Sequence, residues 1–364
     1  MVGYCKTVGN NSHDNNNHSQ YIYQKRKGIQ LTQRLIDKEF SLGIQNHDPE
    51  EHSLSKVLVI GLGQLGLPVA RYIQEMGFDT YGYDISSDAM ERARKISGIK
   101  EVTNFGEIDA FIICVSTHKP DDMLSPQIDG LLSVVQQISL EGKYGAFVSI
   151  ESTIPRGTSK KVFEMLNHRM HVAHVPHRFY SLEEKDHGVN QVRVVGGVCD
   201  CCLKAALKFY AGADGDNNSK SNNNNKNRNL GIPLHPVSNI ELAEITKIAE
   251  NAHRYLQIAF AEDLYLYSQV NNINFLELRG ALNTKWNVDI LEPRDGIGGH
   301  CLPKDTKMFL QSSQSTEKSK ILAAALEVDE DYRRYRIIRG TTMQQNTAKL
   351  IRSEGVKSVI RYAI

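Results

Sequence analysis

The sequence predicts an α/β protein, with a doubly wound parallel sheet in its first half and an all-helical domain in its second. Three observations carry that prediction. Short apolar runs alternate with helically spaced ones from Ser55 onward, the pattern of a parallel sheet covered on both faces. A glycine-rich turn, Gly61-Leu-Gly-Gln-Leu-Gly66, ends the first apolar run and opens the first helical one. From Ile240 to Val270 apolar residues recur at helical spacing with neither glycine nor proline.

Taken in order, Lys56 to Ile60 reads as a strand and Gln64 to Met76 as the helix behind it. Phe78 to Tyr83 is a second strand and Ser87 to Lys95 a helix. Asp109 to Val115 and Ala146 to Glu151 are further apolar strands, with helical spacing over Leu131 to Ile138 and Ser159 to Leu166. His171 to Pro176 and Gln191 to Gly196 read as the strands that close this domain. Beyond it, Ile240 to Val270, Asn274 to Leu282 and Lys318 to Ile351 read as helices. Two stretches are too poor in apolar residues to join a core: residues 1–53, in which Gln20 to Phe40 is at best a poorly patterned helix, and the Asn-rich 213–230. The expected organisation is therefore a polar extension (1–53), a sheet domain (54–212), a flexible insertion (213–230), a helical domain (231–352) and a short tail (353–364). The length and apolar face of the 240–270 helix make it a natural dimerisation element.

A net charge of +1 supplies no basic field for nucleic acid. No apolar run approaches the ~20 residues of a membrane span, and Met1-Val-Gly-Tyr-Cys-Lys lacks the apolar core of a secretory signal. A cytoplasmic protein is expected. The six cysteines match no disulfide scaffold. Cys199-Asp-Cys-Cys202 lacks a second ligand pair at zinc-site spacing and reads as small residues opening a helix. Cys114, inside an apolar strand, reads as core, and no metal is expected.

The glycine turn is the fingerprint of a Rossmann-type dinucleotide site. Gly61 makes the tight turn, Gly63 admits the pyrophosphate and Gly66 lets helix and strand pack closely. The helix N-terminus faces the phosphates. Asp84, about 20 residues on at the end of the second strand, suits the ribose hydroxyls and repels a 2′-phosphate, favouring NAD over NADP. Thr117 ends a later strand at the same sheet edge, where ligands of such folds bind.

The second chemical signal is Gly296-Ile-Gly-Gly-His-Cys301-Leu-Pro-Lys-Asp305. A thiol after a glycine-rich bend is a candidate nucleophile. Lys247 and Asn251 stand one turn apart on the long helix, where both can donate to an oxyanion. Asp305 can orient or deprotonate water; alternatively it caps a helix beginning near Pro303. Lys247 with Glu244 can equally be a surface helix pair, and His177-Arg178 either binds phosphate or is a solvated pair.

Together with Glu151-Ser-Thr-Ile-Pro155 and the Glu244, Lys247, Glu250, Asn251 series, these motifs occur in the same order in the UDP-glucose/GDP-mannose dehydrogenases, which the chain resembles over about residues 55–330. Val288-Asp-Ile-Leu-Glu-Pro293 looks most like the UDP-N-acetylmannosamine branch, whereas Leu302-Pro-Lys-Asp-Thr306 looks more like the UDP-glucose branch. The resemblance implies oxidation of a sugar C6 hydroxymethyl to a carboxylate with two NAD, no metal, a Cys301 thioester and a homodimer. It implies catalytic roles for Cys301, Lys247, Asn251, Asp305 and Thr153, the last holding a water. Cofactor contacts are expected at Gly61, Gly63, Gln64, Leu65, Gly66, Asp84, Thr117 and Lys304. Substrate contacts are expected at His177, Arg178, Arg254, Gly298, Gly299 and His300. The chain departs from the family in having His177 where a glutamate is usual, Glu262-Asp263 for Asn-Glu, Asn287 in the place of an arginine, and a sequence that stops at Ile364, where a third domain usually begins. Two other readings are a non-catalytic NAD-binding relative and a two-electron hydroxyacid dehydrogenase, which has no need of Cys301.

Overall fold

A computed structural model describes residues 54–353, apart from 120, 123, 181, 182, 186, 212–227 and 314–318. The polar extension with its Gln20 to Phe40 segment, most of the Asn-rich insertion and all but the first residue of the tail lie outside the described residues. The chain divides into two compact units. One comprises the described residues up to Val115 with Leu131–Ser152 and Gly157–Ala243; the other comprises Ser116–Gly130, Thr153–Arg156 and the described residues from Glu244 on.

The first unit is built on a sheet. Its elements run β1 (Lys56–Ile60), α1 (Gly66–Glu75), β2 (Asp79–Tyr83), α2 (Ser87–Ser97), β3 (Lys100–Glu101), β4 (Ala110–Ile113), α3 (Asp129–Glu141), β5 (Phe147–Ile150), α4 (Thr158–Met165), β6 (His171–His174), β7 (Arg193–Gly197), α5 (Asp200–Tyr210) and β8 (Leu234–Pro236). The strand order is β3-β2-β1-β4-β5-β6-β7-β8. The order reverses at β1 and β4, the switch point at which such sheets hold ligands. β4 and β5 are buried along their whole length, as strands covered on both faces must be. α1 packs on β1 and β2 and buries Val69, Ala70 and Ile73 there, and each larger aliphatic chain so buried contributes about 1.5–3 kcal/mol. α2 starts at Ser86, whose side chain accepts the Ala89 N–H, and stops at Gly98 in the left-handed conformation.

One pairing departs from the expected parallel sheet: β7 runs antiparallel to β6. A parallel return needs a crossover, usually a helix, and no α-helix is described between His174 and Arg193. β3 and β8 are short pairings that the apolar pattern did not mark.

The second unit is helical, with α6 (Ile240–Val270), whose first turn belongs to the sheet unit, then α7 (Phe275–Leu282), α8 (Cys301–Gln311) and α9 (Lys320–Ser353). Its core centres on Tyr255, Ala259, Ile297 and Ala325. The Tyr265 ring lies edge-on to Phe275 and Tyr332, at 5.3 and 5.5 Å between centroids.

Candidate active site

The glycine turn meets β1 and α1 as its sequence requires. Gly61 has φ +88°, and a Cβ there would lie 2.7 Å from the Cys114 carbonyl oxygen. A Cβ on Gly66 would lie 1.7 Å from the Gly61 carbonyl oxygen, so only glycine lets α1 pack this close. Gly63 faces open space. No side chain caps α1 at Leu65, which leaves first-turn N–H groups for an anion. The Asp84 carboxylate is fixed beside the turn, accepting the Leu62 N–H at 2.7 Å and the Ser86 N–H at 2.8 Å. An open second glycine, an uncapped helix start and an anchored acid are what a dinucleotide requires, and Gly61, Gly63, Gly66 and Asp84 fit it.

The helical unit gathers most of the residues expected to be catalytic. α8 begins at Cys301, with His300 before it, so Asp305 is interior to the helix and does not cap it. Cys301 and Asp305 are one turn apart on one face. The Asp305 carboxylate accepts Asn251 Nδ2 from α6 at 2.5 Å and Lys304 Nζ at 2.5 Å. Lys304 Nζ also donates to Thr117 Oγ1 at 3.3 Å, and that hydroxyl donates to the Thr153 carbonyl at 2.7 Å. Lys304 and Asp305 are both buried, and removing either partner of such a pair costs about 3–5 kcal/mol. Cys301 is exposed. Partial desolvation and the Asp305 charge push its thiol above the ordinary value, against the opposing pull of Lys304 and Lys247. The thiol is therefore protonated at neutral pH until a base or a ligand changes its surroundings.

The loop leading to Cys301 is held by a network that sequence reasoning missed. Asp329 on α9 accepts the Ile297 N–H at 3.0 Å and the Tyr255 hydroxyl at 3.1 Å, and Arg333 Nε sits 3.0 Å from both its oxygens. Arg333 also donates to the Ile297 carbonyl at 2.5 Å. Gly296 has φ +93° with the Arg333 side chain against it, so a larger residue there is strained and crowded. In sequence, Asp329 and Arg333 look like any i,i+4 surface pair. His118 was also missed, although it follows Thr117 directly; its ring lies 5.3 Å from that of His300.

Residues 241–331 match the central domain of the UDP-glucose/GDP-mannose dehydrogenase family, and residues 56–175 match the NAD binding domain of 6-phosphogluconate dehydrogenase. The chain is 27% identical over 308 residues to the UDP-N-acetyl-D-mannosamine dehydrogenase of Methanococcus maripaludis, covering 78% of this chain and 67% of that one. It is 29% identical over 307 residues to the corresponding protein of Pyrococcus horikoshii, covering 76% and 68%. Residues 241–331 carry the central domain of that family, and the chain is similar to these dehydrogenases over about three quarters of its length. The solved structure of the Pyrococcus horikoshii dehydrogenase aligns with a TM-score of 0.63 at 26% identity, over 76% of this chain and 68% of that one. The chain is thus an NAD-dependent oxidoreductase, spanning about two thirds of the length of these relatives.

Against that family, His177 is the departure with the clearest physical consequence. Its ring is buried, with Nε2 on the Glu151 carboxylate. Arg193 Nη1 donates to the same carboxylate at 2.8 Å, and the Tyr210 hydroxyl donates to it as well. Burial would raise the Glu151 carboxyl, but Arg193, His177 and Tyr210 outweigh it and hold it at about 2. His177 is thereby a member of a buried ion network, neither the solvated residue nor the open phosphate contact weighed from sequence. Its neighbour Arg178 donates to the Val192 carbonyl at 2.9 Å. Arg254 is exposed, with Nη1 3.3 Å from Gln257 Oε1. Gly298 and Gly299 stand in open space at the start of the α8 turn.

Proposed function

We propose that the chain oxidises the C6 hydroxymethyl of a UDP-linked sugar to a carboxylate through a Cys301 thioester, with UDP-N-acetylmannosamine the first substrate to test and UDP-glucose the second. The observation that carries this reading is an accessible thiol at the start of α8 on the same face as Asp305, whose carboxylate is tied to Asn251 and Lys304. Bound NAD supplies the hydride acceptor for each of two oxidations. In the proposal, Lys247 and Asn251 stabilise negative charge developing on the C6 oxygen. Cys301 Sγ adds to the aldehyde carbon once its proton is withdrawn, and loss of hydride from that adduct leaves a thioester. Water, oriented by Asp305 and by Thr153, then releases the acid and returns the thiol. Thr117 and Lys304 hold Asp305 in place, and Gln64 and Leu65 lie at the cofactor turn. His300, Gly298, Gly299, Arg178 and Arg254 are the proposed substrate contacts.

The test is the ratio of NADH formed to sugar consumed, measured with a panel of UDP- and GDP-sugars. Two NADH per sugar, with Cys301→Ala losing carboxylate formation while NAD still binds, is the expected result. One NADH per turnover with Cys301→Ala active would establish a two-electron alcohol dehydrogenase instead. Tight NAD binding without turnover of any sugar would establish the non-catalytic reading.

A homodimer is also part of the proposal. Phe260 and Tyr267 on α6, with Trp286 beyond α7, are large apolar side chains left 55%, 57% and 93% exposed. Light scattering behind a sizing column should give twice the chain mass, and Phe260→Glu with Tyr267→Glu should halve it. Among the described residues no helix is long and apolar enough to cross a membrane; the proposed setting is the cytoplasm, with no nucleic-acid partner.

A further inference from the structure

Three cysteines gather at the start of α5, and folding brings a histidine to them from another element. Cys199 directly precedes α5, and Cys201 and Cys202 lie in its first turn. Cys199 Sγ is 2.8 Å from Cys201 Sγ and 3.2 Å from Cys202 Sγ. His171 opens β6, and one of its ring nitrogens lies with the Cys201 and Cys202 sulfurs inside a mutual distance of 4.8 Å. All four residues belong to the sheet unit. His171 is in register with Phe147, the first residue of β5, so the cluster sits at the beginnings of the parallel strands. The glycine turn follows the end of β1, at the opposite edge of the same sheet.

We propose that His171, Cys201 and Cys202 hold a structural zinc ion, and that Cys199, whose sulfur lies beside the other two but outside that group, turns in as the fourth donor when the ion binds. Three thiolates and one imidazole are a donor set of closed, four-coordinate zinc sites, and soft sulfur ligands select zinc over magnesium or calcium. Burial and the neighbouring Cys199 and Cys201 push the Cys202 thiol up, so an ion binds there with release of its proton. The Val172 N–H donates to Cys202 Sγ at 3.2 Å, the kind of outer contact that orients a metal ligand. Cys199 is the residue at the N-terminal end of α5, so the positive end of the helix faces the sulfurs. Cys199 and Cys202 are buried, while Cys201 and His171 are partly open, giving an ion a way in. Sequence spacing hid the site because its histidine lies far upstream and joins only when β6 packs against α5. The ion would clip α5 to β6 at the corner where β7 turns antiparallel, next to the Val198 N–H bond to the Val172 carbonyl at 3.1 Å. This role is independent of the redox chemistry.

The test uses the full chain, reduced and freed of metal, titrated with cobalt(II) and then zinc(II). One equivalent of cobalt should give a thiolate charge-transfer band and the visible absorption of a tetrahedral ion, both lost on adding zinc. Cys201→Ser and His171→Gln, at the two partly open positions, should each weaken zinc binding by at least about tenfold while keeping NAD binding, which reports an intact fold. Cys114→Ser and Cys301→Ser should leave the cobalt spectrum unchanged. A strong chelator should lower the melting temperature of the wild type and not that of Cys201→Ser. No cobalt band in the reduced protein would overturn the proposal. So would a band indifferent to Cys201→Ser and His171→Gln, or a Cys199 disulfide that persists under excess zinc.

Discussion

The Cys301 thiol is set by opposing charges close to it. Burial and Asp305 raise its pKa, while Lys304 and Lys247 lower it. Removing the negative charge with Asp305→Asn should therefore shift the thiol titration to lower pH, and Lys247→Met should shift it upward. The rate of Cys301 alkylation by iodoacetamide against pH, read by mass spectrometry of the Cys301 peptide, measures both shifts. Equal midpoints in the wild type and Asp305→Asn would show that the carboxylate does not face the thiol. Much of this site was legible in sequence, because a glycine-rich bend, a thiol and an acid one helical turn later lie within ten residues of each other. Two features were not legible. Lys304, read as a cofactor contact, places its ammonium between Thr117 and Asp305, since a buried carboxylate needs a cation. His177, read as open, turns inward for the same reason.

At the scale of elements, α6 and α9 share a buried acid whose behaviour can be tested. Burial and the neighbouring Asp329 charge raise the Glu262 carboxyl to about 8, against Arg333. A carboxyl whose folded pKa is raised stabilises the fold fully below its unfolded pKa and loses that contribution as pH rises through the folded value. The difference in unfolding free energy between wild type and Glu262→Gln should therefore move against the wild type from about pH 5 to about pH 8. Urea unfolding across that range checks the sign, and a difference that does not change with pH refutes the assignment. Helix extents were readable where the apolar pattern was long: α6 spans the residues its spacing predicted. α8 starts at Cys301, two residues before Pro303, because proline is tolerated in a first helical turn, whose N–H groups have no intrahelical partner.

For the whole chain, the sheet unit carries its own acid sensitivity. Glu151 is held at about 2, below the ordinary 4.5. A depressed carboxyl stabilises the fold above its unfolded pKa, and that stability is lost as pH falls through the folded value. The wild-type advantage over Glu151→Gln should shrink by about 3 kcal/mol as pH falls from about 5 toward 2. Arg193→Met, which leaves the carboxylate buried without its main cation, should cost about 3–5 kcal/mol at neutral pH. An advantage that does not vary with pH would mean that Glu151 is not ionised in the fold. By itself the sequence determined the α/β order, the glycine turn with its acid, and the segment of the proposed nucleophile, because each rests on periodicity or on residues adjacent in the chain. Only the tertiary structure decided that β7 runs antiparallel, that Asp329 and Arg333 hold the loop before Cys301, that Glu151 gathers His177, Arg193 and Tyr210, and that His171 meets Cys201 and Cys202. Those contacts join residues far apart in the chain, and what selects them is the cost of leaving polar groups unpaired away from water.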